Sequence, residues 1–112
     1  MRRYVCVKLS NIRETKEWFK VLQTTERCQT AMMTLNPGEE TGSKAEAHEK
    51  SVLLMLDGEL IGEVGDERPR LSKNEVIIIP AGTKHRFENR GSTSAVTFNV
   101  YSPPAYPRKT KG

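Results

Sequence analysis

The sequence predicts an antiparallel all-β domain of the sandwich, jelly-roll or small-barrel type. Three observations predict it. Short β-rich runs recur roughly every 8–12 residues from Met33 onward, clusters of Gly, Pro, Asn and Asp separate them, and only one short helical pattern interrupts the series. With 112 residues there is room for one such domain and no second.

Taken in order, Tyr4–Leu9 reads as a strand. Residues 13–23 read as a short helix, because Trp18, Phe19 and Leu22 fall at i, i+1 and i+4 with charges on the other side. Glu26–Leu35 is a strand that ends at Asn36-Pro37-Gly38. Val52–Leu56 is a strand closed by Asp57-Gly58, a hairpin signal because a type I′ turn needs positive φ at both central positions. Glu59–Val64 returns, Gly65-Asp66 turns again, and Glu67–Leu71 alternates around Pro69, which marks an edge or a bulge. Glu75–Ile79 reads as a buried strand stopped by Pro80. His85–Glu88 is short, Asn89-Arg90-Gly91 is a turn, and Ser94–Tyr101 is a long last strand. A tail with Pro103, Pro104 and Pro107 should be extended. The expected organisation is an N-terminal strand and short helix over residues 1–30 packed on a barrel over 31–102, followed by a Pro-rich basic tail over 103–112.

Composition excludes several classes. Apolar residues make up 36% and charged residues 29%, with both signs interleaved, which is not a disordered composition. No apolar run exceeds the five residues Val52–Leu56, so neither a membrane helix nor a signal-peptide core is expected, and the cytoplasm is the expected compartment. The net charge of +4 is unevenly spread. Residues 1–30 carry seven Lys/Arg against three Glu, residues 31–100 eight against eleven acids, and residues 101–112 three against none. The basic excess therefore sits at the two ends, without the basic, aromatic-interleaved stripe of a nucleic-acid binder, so no nucleic acid or membrane partner is expected. Cys6 and Cys28 match no zinc spacing and read as free thiols. A Ser-His-Asp hydrolase and a glycine-rich phosphate loop both lack their residues.

The informative stretch runs from Asn74 to Asn89: Asn74, five residues, Pro80-Ala81-Gly82, two residues, His85, three residues, Asn89. It resembles the second motif of the cupins, Gly-x5-Pro-x-Gly-x2-His-x3-Asn, with Asn74 in place of the first glycine. Asn is the non-glycine residue that best tolerates the left-handed conformation, so the exchange is mild. Pro80 ends a strand, Gly82 turns the chain, and His85 starts the return strand with its ring on the side of Phe87. The resemblance spans roughly residues 32–102 and implies a cupin-like jelly-roll β-barrel with a small-molecule pocket in its mouth, and a homodimer.

The family's first motif, Gly-x5-His-x-His-x3,4-Glu-x6-Gly, is not matched in the same way. Counting back from Gly58 places its glutamate at Ser51 and its histidines on Ala45 and Ala47, or on Lys44 and Glu46, which all but removes the metal set. Placing Glu46-Ala47-His48 on the His-x-His pair instead, with a shorter loop, gives Glu46 and His48 on one face of an extended chain. With His85 they form a two-His, one-carboxylate set that suits Fe(II) and other divalent metals, Mn, Ni or Zn among them. Regular strand parity puts His48 with Val52 and Leu54, opposite Ser51, Leu53 and Met55, so this arrangement needs a bulge near Glu49-Lys50.

The resemblance thus implies a small cupin with a small-molecule pocket and one divalent metal held by His85, His48 and Glu46, whose chemistry would be dioxygenase-like or isomerase-like. The alternative is a metal-free cupin that binds a ligand as a sensor or accessory protein, favoured by Ser51 at the carboxylate position. A third reading is a structural oligomerisation module.

Overall fold

The computed structural model describes Cys6, Lys8 and residues 17–42 and 49–106. The expected positions of Glu46 and His48, the helix residues 13–16 and the tail beyond residue 106 lie outside the described residues.

Eight strands follow in order: β1 (Phe19–Thr24), β2 (Gln29–Leu35), β3 (Lys50–Asp57), β4 (Glu59–Val64), β5 (Arg70–Ser72), β6 (Val76–Ile79), β7 (His85–Glu88) and β8 (Ala95–Ser102). They form a five-stranded sheet, β1-β2-β8-β3-β6, facing a three-stranded sheet, β5-β4-β7, with antiparallel pairing throughout. This is an all-β jelly roll, one of the architectures the strand spacing predicts and the one the motif resemblance implies.

The long strand β8 sits in the middle of the larger sheet, and its register organises the interior. Leu35 lies opposite Ala95; Met33, Thr97 and Met55 form the next inward row; Ala31, Asn99, Leu53 and Ile77 the third; Gln29, Tyr101, Ser51 and Ile79 the fourth. The interior is therefore graded. At one end Leu35, Met55 and Ala95 meet Leu60 and Leu71 of the opposite sheet in a closed apolar core. At the other end three of the four residues in the last row carry polar groups. Leu35, Met55 and Leu60 are at most 2% exposed, which at roughly 1.5–3 kcal/mol for each large apolar side chain makes this end the main source of hydrophobic stability.

Three expectations are corrected. The second half of the expected helix is strand: Phe19–Thr24 pairs along β2, from Phe19 opposite Met33 to Thr24 opposite Gln29. A strand here satisfies the backbone groups along the outer edge of β2, which a helix would leave unpaired. No helix occurs among the described residues. Asp57-Gly58 is not a hairpin either, since β3 and β4 belong to different sheets. It is a corner at which the chain leaves the larger sheet for the smaller one. Finally, β6 is an edge strand, with Val76 and Ile78 about 60% exposed, so the run Val76–Ile79 is buried only on its inner face.

The corner explains why glycine is needed at position 58. Its φ is +75°, and a Cβ would stand 2.6 Å from the carbonyl oxygen of Ser94, where β8 begins. Replacing Gly58 by Ala is expected to lower the unfolding free energy by about 3 kcal/mol, because the strained φ alone costs roughly 1–3 kcal/mol and the clash adds to it. Urea unfolding measures this; a loss below about 1 kcal/mol would show that the corner is not closed by this contact.

Candidate functional site

The motif residues build one rim of the barrel. Asn74 has φ 71°, the only non-glycine residue with positive φ among those described, so it takes up the conformation that the glycine of the family pattern supplies. Its N–H donates to the Met55 carbonyl at 2.8 Å. Pro80 follows the end of β6, and Gly82, at φ +81°, turns the chain toward β7. Asn89 is buried: its Nδ2 donates to the carbonyls of Leu35 and Thr93, both at 2.8 Å, and its Oδ1 accepts from the Gly91 N–H at 2.8 Å. Asn89 is therefore a structural clasp between the end of β2 and the turn before β8.

His85 opens β7 with its ring 6.3 Å from that of Phe87, on the same inward face. Its Nδ1 lies 2.9 Å from the carbonyl oxygen of Thr83. A carbonyl only accepts, so Nδ1 carries a proton, and in the neutral form of the ring the lone pair is on Nε2. Outward from the same strand, Arg86 reaches Glu40 at 2.8 Å and Glu63 at 3.1 Å; its guanidinium holds the Glu63 carboxyl below its usual range.

Between the two sheets, at the polar end, lies a cavity of about 280 Å3. Its floor is made by Ser51 and Leu53 of β3 and Asn99 of β8, with His85 and Phe87 facing them. The rim comes from Trp18 and Phe19, the Thr41-Gly42 turn, and Tyr106. On β8 the polar groups are linked. Thr97 Oγ1 donates to Asn99 Oδ1 at 2.7 Å, and Asn99 Nδ2 donates to the Tyr101 hydroxyl at 3.0 Å. Burial pushes the Tyr101 phenol well above its ordinary range, reinforced by Tyr106 beside it and by the negative charge of Glu49. Tyr101 is thus a neutral phenol at any physiological pH.

The rim is held by Gln29. Its Nε2 donates to Thr24 Oγ1 at 3.0 Å and to the Tyr106 carbonyl at 2.9 Å, and its Oε1 accepts from the N–H groups of Ala105 and Tyr106 at 3.1 and 2.9 Å. The tail is thereby bound across the mouth, and the Tyr106 ring stacks 4.7 Å from Phe19 and 5.2 Å from Tyr101.

The parity of β3 follows the regular reading, with Ser51, Leu53 and Met55 inward and buried. Ser51, where the family pattern has its carboxylate, lines the cavity with its hydroxyl buried. Of the sequence-derived ligand candidates the structure places His85 at the cavity, while His48 and Glu46 lie outside the described residues. Sequence reasoning missed Glu49, which is 7% exposed, and Gln29. Glu49 stands two residues before Ser51 and so shares its parity, which was the available signal; nothing local announces Gln29. No group of three His, Cys, Asp or Glu residues suited to a metal occurs among the described residues. One imidazole, a hydroxyl and neutral amide and phenol groups do not by themselves fit a divalent cation.

Two facing antiparallel sheets, closed by an apolar plug at one end and open on a cavity at the other, define a jelly-roll barrel. The chain belongs to the cupin family: the sequence model of the cupin domain matches residues 31–101. It is 33% identical over 79 residues to the tetracenomycin polyketide synthase protein TcmJ of Streptomyces glaucescens, covering 70% of this chain and 52% of that protein. It is 28% identical over 92 residues to the uncharacterized protein YrkC of Bacillus subtilis, covering 77% of this chain and 50% of that protein. The chain spans about half the length of both. Among solved structures, BH2720 of Bacillus halodurans superposes with a TM-score of 0.86 at 23% identity, covering 97% of this chain and 87% of that one. An RmlC-like cupin family protein with a double-stranded β-helix fold from Methanocaldococcus jannaschii has a TM-score of 0.74 at 22% identity, covering 81% and 84%. These likenesses show the fold. No helix among the described residues is long and apolar enough to cross a membrane.

Replacing Gln29 by Ala removes four hydrogen bonds at once. It is expected to lower stability by about 2–6 kcal/mol, at roughly 0.5–1.5 kcal/mol per bond, and to speed hydrogen exchange at the amides of Ala105 and Tyr106. Unchanged exchange at those two amides would show that Gln29 does not hold the tail.

Proposed function

We propose that this cupin binds a small, uncharged, ring-containing molecule in the barrel mouth, as a sensor or accessory protein or as the binding part of a larger activity. The observation that carries this reading is the cavity of about 280 Å3. An apolar cavity of about 150 Å3 accepts benzene, so this one suits roughly two fused rings. Its aromatic rim offers ring faces for stacking, and its buried polar groups are neutral. The cytoplasm remains the compartment we assign, in keeping with two free cysteines. A homodimer would bury the outer face of the five-stranded sheet, where the exposed Val76 continues the row of Leu54 and Phe98, and the exposed Ile78 that of Val52 and Val100.

Titration with 2-naphthol, followed by amide chemical shifts, tests the pocket. Shifts should cluster at Ser51, Leu53, His85 and Asn99 and saturate at submillimolar concentration. Weak shifts scattered over the surface would sink this reading.

A second reading is favoured by the tautomer of His85. Metal-binding histidines characteristically donate their other ring N–H to a carbonyl or carboxylate, and His85 does so to Thr83. In this reading His85 holds a divalent metal together with His48 and Glu46, the metal supplying Lewis-acid or oxygen chemistry. Metal analysis of untagged protein decides between the two. The metal reading predicts stoichiometric Fe, Mn, Ni or Zn that is lost in both His85→Ala and His48→Ala. The metal-free reading predicts no stoichiometric metal and no thermal stabilisation by any of the four ions, where saturation at 100 times Kd would add about 2.7 kcal/mol.

A further inference from the structure

The fourth inward row contains one polar group without a partner. Gln29 makes four hydrogen bonds, and the Tyr101 hydroxyl accepts from Asn99. Ser51, between Tyr101 and Ile79 in register, is 1% exposed, lines the cavity, and its Oγ is buried without a hydrogen-bond partner among the described residues. A buried hydroxyl left unpaired is costly, and folded proteins seldom keep one without a use.

We propose that the Ser51 hydroxyl is the specificity-determining anchor of the cavity, hydrogen-bonding a hydroxyl or carbonyl oxygen carried by an uncharged aromatic ligand. The proposal rests on the small-molecule reading of the cavity and adds the chemistry that selects the occupant. Ser51 shares the floor with Leu53 and faces Phe87 across the cavity, so a ring held against Phe87 presents its substituents to the floor where Ser51 lies. A serine hydroxyl both donates and accepts, so it serves a phenolic hydroxyl and a ring ketone alike. The surroundings disfavour an anionic group in the same place. Tyr101 stays protonated, the Glu49 carboxyl acts on it electrostatically in the same direction as burial, and no Lys or Arg among the described residues lines the cavity. The ligand class is therefore phenolic or quinonoid in character rather than a carboxylate or a phosphate. A site built to hydrogen-bond a hydroxyl discriminates strongly against the analogue that lacks it, because the protein group is then left unpaired.

Phenol and toluene differ by a hydroxyl for a methyl in almost the same volume, so together with Ser51→Ala they form a thermodynamic cycle. Both probes are titrated into the full chain and S51A, followed by amide shifts of the cavity residues. The ratio of phenol to toluene affinity should fall 5–10-fold in S51A, with toluene binding unchanged within twofold. An unchanged ratio, as expected if Ser51 binds only a water molecule, overturns the proposal while leaving the pocket reading intact. Failure of both probes to move the cavity residues of the wild-type chain overturns the pocket reading and this proposal with it. A second readout needs no ligand. Removing an unpaired buried hydroxyl should raise the Tm of S51A by a few degrees, and a lower Tm would make Ser51 a structural residue and overturn the proposal.

Discussion

The register of β8 is the constraint on which the rest of the structure depends. Slipping a strand by one residue exchanges its two faces, and on β8 the exchange would bring Val96, Phe98 and Val100 inward and turn Thr97, Asn99 and Tyr101 outward. By hydrophobicity alone the slipped arrangement looks better. What offsets this is the chain of hydrogen bonds from Thr97 through Asn99 to Tyr101, which makes the polar row cheap to bury, and the small Ala95 that lets Leu35 and Met55 close the opposite end. With that row inside, the floor of the cavity is polar, the outer face of the larger sheet is apolar, and the candidate ligand site and the candidate dimer surface are two consequences of one choice.

Much of the fold was legible because turn chemistry is local. Asn74, Pro80, Gly82 and His85 each act through their own φ, missing N–H or strand position, so their spacing located the rim and one cavity residue without knowledge of anything distant. Asn89 was read from the same spacing, and its clasp on Leu35 follows from where the turn lands. The misreadings are all non-local. Asp57-Gly58 has the composition of a hairpin turn, but whether two flanking strands pair depends on which sheet each joins, and here Gly58 is required by Ser94, far along the chain. The helical stripe at Trp18, Phe19 and Leu22 yielded to the free edge of β2. Gln29 meets Tyr106 across 77 residues, and no pattern near Gln29 could announce a partner in the tail.

The chemistry of the cavity was less legible than its position. Family spacing placed a carboxylate at Ser51, and parity placed Ser51 inward; both statements were available from sequence, and together they describe a site with a hydroxyl where charge would be expected. Exchanging an anionic ligand for a hydroxyl leaves a divalent cation with less compensation for its lost hydration, whereas a neutral ring loses little hydration and gains aromatic contact. The Nε2 lone pair of His85 serves either occupant, as metal ligand or as hydrogen-bond acceptor. The donor set, and not the histidine, separates the two readings.

Floor and rim also differ in how they are built, and this bears on what sets ligand identity. Ser51, Leu53 and Asn99 stand on the two central strands of the larger sheet, whose backbone is paired on both sides, so their side chains are held in place. Trp18, Thr41, Gly42 and Tyr106 come from connections and the tail, outside the ladders paired on both sides, and are tied by local bonds such as the Thr41 hydroxyl accepting from the Phe87 N–H at 3.0 Å. Rigid groups discriminate by geometry, while loop groups adapt to size and govern entry. In the proposed reading, polar selection therefore belongs to the floor, where the Ser51 hydroxyl has no partner among the described residues, and the aromatic rim sets how large a ring can reach it.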